Sequence, residues 1–244
     1  MDIYRELRAN EAVRTAALLS DGPWKVRDGV LGRSMEDMIH LAAQIQVPAT
    51  EEAVGRAIAE MISCAAATCG GVHPLPDKER KIDFFLLHNV TASLSLSVLN
   101  QQSWIKIEDK ARLIEYKARL DLVWYAGSAA PEVDLEQHLV GYVPAPDAVN
   151  SRGTNWQTLY AAVNQHHDDG HVAKFVRACR NGEEATAPYE KLAETLDWLP
   201  VHGDLWLKLA QLCYDTTYQY ADGQKKWVWG TGFAAMWENV RDTK

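Results

Sequence analysis

Apolar residues recur every three to four positions along most of this chain, and apolar/polar alternation over strand lengths is hard to find; that period constrains the fold more than any other feature. It calls for amphipathic helices, so an all-α, multi-helix, bundle-like fold is expected. Two loop-rich breaks interrupt the pattern. The first, Gly70-Gly71-Val72-His73-Pro74-Leu75-Pro76-Asp77, places two Gly and two Pro within eight residues, which denies both helix and strand. The second spans roughly 129–153, where Pro131, Pro144 and Pro146 accumulate. At 244 residues the chain is long enough for one large domain or two small ones. We read residues 1–244 as one helical domain, with 70–80 and 129–153 as possible joints between subdomains. No repeat of solenoid period is visible.

Between these breaks the spacing predicts a helix from Ile3 to Leu19, stopped by Ser20-Asp21-Gly22-Pro23, and a second from Ser34 to Gln46, with Ser34 as its cap. A third starts at Thr50 with Glu51 and Glu52 and runs toward Gly70. A very apolar helix over 81–100 comes next, then a long one over 107–127 with Leu113, Ile114, Leu120, Val123 and Trp124 on one side. The carboxyl-terminal third predicts helices over 156–164, 172–180, 189–196 and 204–218.

Charge and composition exclude several classes. Twenty-five Lys and Arg against 33 Asp and Glu give a net charge of -8, whose field repels a phosphate backbone, so nucleic acid is not an expected partner. The opening Met1-Asp2-Ile3-Tyr4-Arg5-Glu6 is too charged for a signal peptide, and the most apolar stretch, Ile82 to Leu99, carries Asp83, His88 and Asn89. A soluble cytoplasmic protein with no membrane partner is the expectation. Cys64, Cys69, Cys179 and Cys213 lack paired CxxC spacing and are expected as buried, reduced thiols. The sequon Asn89-Val90-Thr91 falls inside a predicted buried helix and reads as chance. No glycine-rich strand-to-helix fingerprint for NAD or flavin is present.

Chemistry is sought among polar residues that interrupt apolar faces. His88 sits in Asp83-Phe84-Phe85-Leu86-Leu87-His88-Asn89-Val90, where burial would keep its ring neutral and able to ligate a metal. The alternative is a core histidine satisfied by a backbone carbonyl or by Asp83. The densest group of ligand-type side chains is Gln165-His166-His167-Asp168-Asp169-Gly170-His171-Val172-Ala173-Lys174-Phe175-Val176-Arg177. Asp168 or Asp169 can cap a helix starting near Gly170, which puts His171 and Lys174 three apart on one face. Pointed into a core, Lys174 would be pushed toward its neutral form, as a base, a nucleophile or a site for carboxylation. The alternative is a solvated helix start whose Lys and Arg face water.

Three stretches resemble the questin oxidase-like family: Asp83 to Ser93 around His88; Trp124-Tyr125-Ala126-Gly127-Ser128-Ala129-Ala130-Pro131-Glu132; and Asp169-Gly170-His171-Val172-Ala173-Lys174-Phe175-Val176-Arg177-Ala178. Tyr4-Arg5-Glu6-Leu7 and Asp28-Gly29-Val30-Leu31 fit as well, so the resemblance covers most of the chain. The family contains fungal oxidoreductases of aromatic polyketide biosynthesis, associated with oxygen-dependent ring opening of anthraquinone-type substrates. The resemblance implies a mononuclear non-haem iron site with His88, His171 and Lys174, the last free or carboxylated, as metal ligands, and His171 and Lys174 as the catalytic residues. Nine Trp and nine Tyr are available to line a flat pocket for an aromatic small-molecule substrate, although such residues are commonly ordinary packing.

The resemblance also implies a histidine-rich segment upstream that supplies further ligands, and none is visible before His88; His40 reads as an ordinary helix residue. The chain is therefore expected to be the carboxyl-terminal part of a split gene or a shortened relative. Two readings follow. One is an oxygen-using oxidoreductase, and the other a non-catalytic helical domain that binds an apolar ligand or a partner chain carrying the missing histidines.

Overall fold

The computed structural model describes residues 1–143, 154–165, 168–192, 195–220 and 226–243. Its helices are α1 (Asp2–Ala9), α2 (Glu11–Arg14), α3 (Leu31–Ala43), α4 (Glu51–Gly70), α5 (Phe84–Asn100), α6 (Ile107–Gly127), α7 (Trp156–Gln165), α8 (His171–Glu190) and α9 (Leu205–Thr217). Two strands of two residues each, β1 (Ile82–Asp83) and β2 (Trp227–Val228), pair in parallel with Ile82 opposite Trp227 and Asp83 opposite Val228. The all-α expectation holds. No helix among the described residues is long and apolar enough to cross a membrane.

The axis of the fold is α4, which packs against α5, α6, α8 and α9. Its amino end is fixed by Thr50, whose side chain accepts a hydrogen bond from Ala53 N–H, and by Glu51 and Glu52 in the first turn. Every residue from Met61 to Gly70 is buried. The short side chains there, Ser63, Cys64, Ala65, Ala66, Ala67 and Cys69, let neighbouring helices approach closely on all sides. Ser63 Oγ both donates to Val201 C=O at 2.8 Å and accepts from Val201 N–H at 2.9 Å, which ties the loop before α9 to this axis. On α6, Lys117 Nζ donates to Asn89 C=O at 2.9 Å and pairs with Asp121, joining α6 to α5 below His88. Asn89 is buried, as its sequon's helical setting predicts, and all four cysteines are buried and unpaired.

Several boundaries differ from the sequence reading. The single helix expected over Ile3 to Leu19 is divided at Asn10, whose side chain turns back to cap α2 by accepting from Val13 N–H. Ser34, expected as a cap, lies inside α3 at a kink with φ −139°, and its hydroxyl donates to Val30 C=O at 2.7 Å. The helix expected from Lys81 begins at Phe84, because Asp83 caps it while Ile82 and Asp83 pair with β2. The helix expected over 172–180 runs on as α8 to Glu190, with Pro188 in its last turn; of the helix expected over 189–196, residues 191–192 form a turn and 193–194 lie outside the described residues. In the second break, residues 144–153 lie outside the described residues.

Candidate functional site

The amino ends of α5 and α8 bring the two sequence motifs together. Asp83 does most of the positioning. Its carboxylate accepts from Phe85 N–H at 2.8 Å and Leu86 N–H at 3.2 Å, starting α5, and from Thr231 N–H at 2.7 Å and Thr231 Oγ1 at 3.0 Å. Burial raises the Asp83 pKa, against the lowering effect of these four bonds. Asp83 thus serves the backbone rather than His88, which settles one of the alternatives left open for that histidine.

The same anchor fixes an aromatic wall. Thr231 and β2 hold Trp229 over Phe84, the rings stacked with centroids 4.3 Å apart and planes 19° apart. Gly230, at φ +101°, makes the turn that allows this, and a Cβ there would lie 2.8 Å from the Phe233 ring. Phe85 stacks on Trp124 of α6 at 5.3 Å and meets Trp229 edge-on at 5.6 Å. Each such pair adds roughly 0.5–1.5 kcal/mol beyond its buried area. Trp229 stays 41% exposed, so the wall meets solvent.

His88 and His171 stand beside this wall. Their ring centroids are 5.3 Å apart with planes at 72°, and each also packs on Phe84, at 4.9 and 5.2 Å. His88 is half-buried, and its Nδ1 lies 2.6 Å from Phe84 C=O. A carbonyl only accepts, so Nδ1 carries the proton and donates, which leaves Nε2 with its lone pair free. Burial lowers the pKa of His88, and the nearby His171 and Lys174 lower it further, while the Phe84 carbonyl opposes them. The ring is therefore held neutral, the form that ligates a metal.

His171 opens α8. Gly170, at φ +86°, precedes it, Asp169 Oδ1 accepts His171 N–H at 3.2 Å, and Asp168 accepts Gly170 N–H at 2.7 Å. Asp168 is itself pinned by buried Lys226, 3.3 Å away. His171 Nδ1 lies 2.9 Å from Asp169 Oδ1, within reach of a charge-assisted contact but off the line of a good hydrogen bond. At Asp169, burial pushes the carboxyl up, and the His171 ring and backbone N–H together outweigh it, so the net shift is downward.

Lys174 follows one turn after His171 and is exposed to solvent, although close enough to His88 to depress its protonation. Of the two alternatives for this segment, the described face is the one in which Lys174 and Arg177 meet water. His40 is exposed, and His166 and His167 lie outside the described residues. Among the described residues no group of three His, Cys, Asp or Glu side chains stands close enough to enclose a metal ion.

The histidine pair fits a metal in one respect: His88 Nδ1 is bonded to a protein oxygen, the arrangement that orients an imidazole ligand, and His171 Nδ1 lies near one. Trp227 and Trp229 are wall residues that sequence reasoning missed, and the one local signal for them is the alternation Trp227-Val228-Trp229.

These features define an all-α protein in which a histidine pair stands beside a wall of aromatic side chains. The sequence profile described as questin oxidase-like matches residues 1–179, a span that includes His88, His171 and Lys174, and the chain belongs to that family. It is 48% identical over 240 residues to the Baeyer-Villiger oxidase ptaJ of Pestalotiopsis fici, covering 98% of this chain and 52% of that protein. It is 46% identical over 244 residues to the Baeyer-Villiger oxidase notM of an Aspergillus species, covering 100% and 54%, and 46% identical over 241 residues to the questin oxidase of Aspergillus terreus, covering 98% and 52%. The chain spans about half the length of the curated relatives it matches.

Proposed function

We propose that this chain is the histidine-bearing part of an oxidoreductase that acts on an aromatic polyketide, by oxygen-dependent oxidation or ring cleavage of an anthraquinone-type substrate at a mononuclear non-haem metal site. The reading is supported by its relatives, named Baeyer-Villiger oxidases and questin oxidases. The observation that carries it is the His88–His171 pair, with one nitrogen of each ring set against an oxygen and an open aromatic wall alongside.

In this reading His88 and His171 ligate the metal, and Lys174, one turn along α8, joins them once a substrate or a further polypeptide covers its exposed side chain and permits carboxylation. Iron is the metal we favour, since imidazole with oxygen donors suits it. When bound, it supplies the dioxygen-dependent chemistry that no side chain here provides. The protein's own contributions are local. Phe84 C=O holds His88 in the tautomer that presents Nε2, and Asp169 orients His171. Phe84, Phe85, Trp124 and Trp229 offer flat apolar surface against which a polycyclic ring can lie beside the histidines.

A second reading, a binding domain completed by a partner chain that supplies further histidines, is favoured by the absence of a third ligand beside the pair among the described residues. One experiment separates the two. The protein is purified without chelators or a metal-affinity tag, and metal atoms per chain and oxygen consumption with a hydroxyanthraquinone are measured. Near-stoichiometric iron with oxygen uptake supports the oxidoreductase reading. A folded, metal-free protein that consumes no oxygen overturns it for this chain alone.

A further inference from the structure

One face of α6 carries a row of large apolar side chains that leads into the aromatic wall. At 3.6 residues per turn, Leu113, Tyr116, Leu120 and Trp124 fall within about 80° of one another around the helix axis. Trp124 ends the row in the wall, stacked on Phe85 at 5.3 Å. The other three are exposed. Beside them runs α3, tied to α6 where Arg119 Nε donates to Ala42 C=O at 3.1 Å and Arg119 Nη2 to Ile45 C=O at 2.6 Å. On α3, Met35 and Ile39, one turn apart, are open as well. Met35, Ile39, Leu113, Tyr116 and Leu120 are each between 39% and 60% exposed, whereas Met38 and Leu41 of α3 and Ile114 and Leu122 of α6 are buried.

Single exposed apolar residues are ordinary, but a set of them on two neighbouring helices marks an interaction surface. The spacing i, i+3, i+7 on α6 is the pattern by which one helix packs against another. The exposed charges of the two helices, Arg33, Glu36, Glu108, Asp109 and Arg112, are of both signs with acids in excess, which argues against an anionic lipid surface as the occupant.

The occupant follows from two facts outside the face. The His88–His171 pair, beside the wall in which the row ends, has among the described residues no group of three His, Cys, Asp or Glu able to enclose a metal. The relatives ptaJ and notM are spanned over only 52% and 54% of their lengths, so each carries about as much polypeptide again. We infer that the α3–α6 face is the docking surface for the polypeptide that these relatives carry in the half of their length this chain does not span, seated by an apolar helix across Tyr116 and Leu120 and reaching past Trp124 to the histidine pair. The inference rests on the reading of this chain as one part of a protein whose histidine pair is completed by further polypeptide.

Native-state labelling of introduced cysteines with a maleimide, read peptide by peptide by mass spectrometry, tests this. The chain's own four cysteines are buried, which keeps the background low. Tyr116→Cys and Leu120→Cys probe the face, and Leu192→Cys, at an exposed turn after α8, is the reference. All three positions are exposed, so the variants should fold, and in the isolated chain they should label at similar rates. In intact ptaJ, with cysteine at the aligned positions, the two face sites should label at least tenfold more slowly than the reference. Equal rates in intact ptaJ overturn the inference and leave the reading of a missing ligand donor standing, since that donor would then reach the histidine pair from another side. Near-stoichiometric iron in the isolated chain removes that reading instead, and slow labelling in ptaJ still locates the docked half. Sedimentation of the isolated chain at micromolar concentration should show a monomer; a dimer that Leu120→Lys dissociates would assign the face to a second copy and overturn the inference as well.

Discussion

His88 with His171, and His73 with His138, are two histidine pairs of similar ring geometry, at 5.3 and 5.7 Å between centroids and 72° and 87° between planes, in opposite surroundings. In the first pair each ring has an oxygen beside one nitrogen, and the neighbouring cation, Lys174, is exposed to water. In the second, His73 is buried against Trp237 with Nδ1 unpartnered, and its pKa is pushed down to about 4, chiefly by burial and further by Arg80 and His138. Arg80 is itself desolvated, its pKa lowered to about 10, and lies over the Tyr142 ring. A half-buried guanidinium beside two imidazoles repels a metal cation, although His73 keeps a backbone hydrogen bond at Lys78 and His138 has Asp134 nearby. Ring proximity is thus a poor criterion for a metal site, and the local charge discriminates better.

The comparison breaks most visibly on metal content. With protein that carries iron, His88→Ala or His171→Ala should reduce metal per chain to near zero, whereas His73→Ala and His138→Ala should leave it unchanged. Elemental analysis of the four variants decides it. Equal losses from both pairs would mean that the guanidinium beside the second pair is irrelevant to retention.

The next effect in size concerns what supports the first pair. Asp83→Ala removes a buried acceptor from four donors on α5 and the Thr231 loop. The loss should be about 3 kcal/mol, since each buried donor left unpaired costs roughly 1–3 kcal/mol and some of that is recovered by no longer burying a carboxylate. For a chain of this size that corresponds to a fall of about 6–12 °C in Tm. Calorimetry reads the shift, and near-ultraviolet circular dichroism reads release of the Trp229 stack. A change below about 1 kcal/mol would show that the β1–β2 pairing alone holds the wall.

The second pair carries its own signature in acid. An unfolded histidine titrates near 6.5 and folded His73 near about 4, so between those values the unfolded chain binds more protons and stability rises with pH. Falling pH therefore removes stability through that window, by about 2 kcal/mol once solvent access to the partly buried ring is allowed for. His73→Leu should flatten the denaturant-measured stability between about pH 6.5 and pH 4, and an unchanged slope would assign the acid sensitivity to other groups.

Local signals made much of this architecture legible in sequence. The bounds of α6 and the Thr50 cap of α4 follow from spacing and end residues alone, and His88 and His171 stand out as polar interruptions of apolar faces. The wall beside them was not legible. Trp229 reaches Phe84 because Thr231 bonds to Asp83, 148 positions away in the chain, and no local pattern encodes so distant a meeting. Whether Lys174 is buried or solvated was not legible for a related reason: a three-residue spacing from His171 puts both on one face of α8, but does not say which part of that face the rest of the protein covers.

The smallest of these effects isolates one contact in the first pair. Asp169 both accepts His171 N–H just before α8 and sets Oδ1 2.9 Å from His171 Nδ1. Asn serves as well as Asp in a helix-capping position, so Asp169→Asn should leave stability within about 0.5 kcal/mol of the parent. It removes the carboxylate charge beside the ring, and losing such a partner typically weakens metal binding about 10–100-fold. Because Asp169 is largely exposed and its contact with Nδ1 is off-line, a loss near tenfold is expected, measured by chelator competition with ferrous ion. His88 gives the internal contrast, for its partner is a backbone carbonyl that no side-chain substitution removes. If Asp169→Asn leaves affinity unchanged while His171→Ala abolishes binding, His171 is oriented by its packing on Phe84 and Trp227 instead, and the carboxylate acts only as a helix cap.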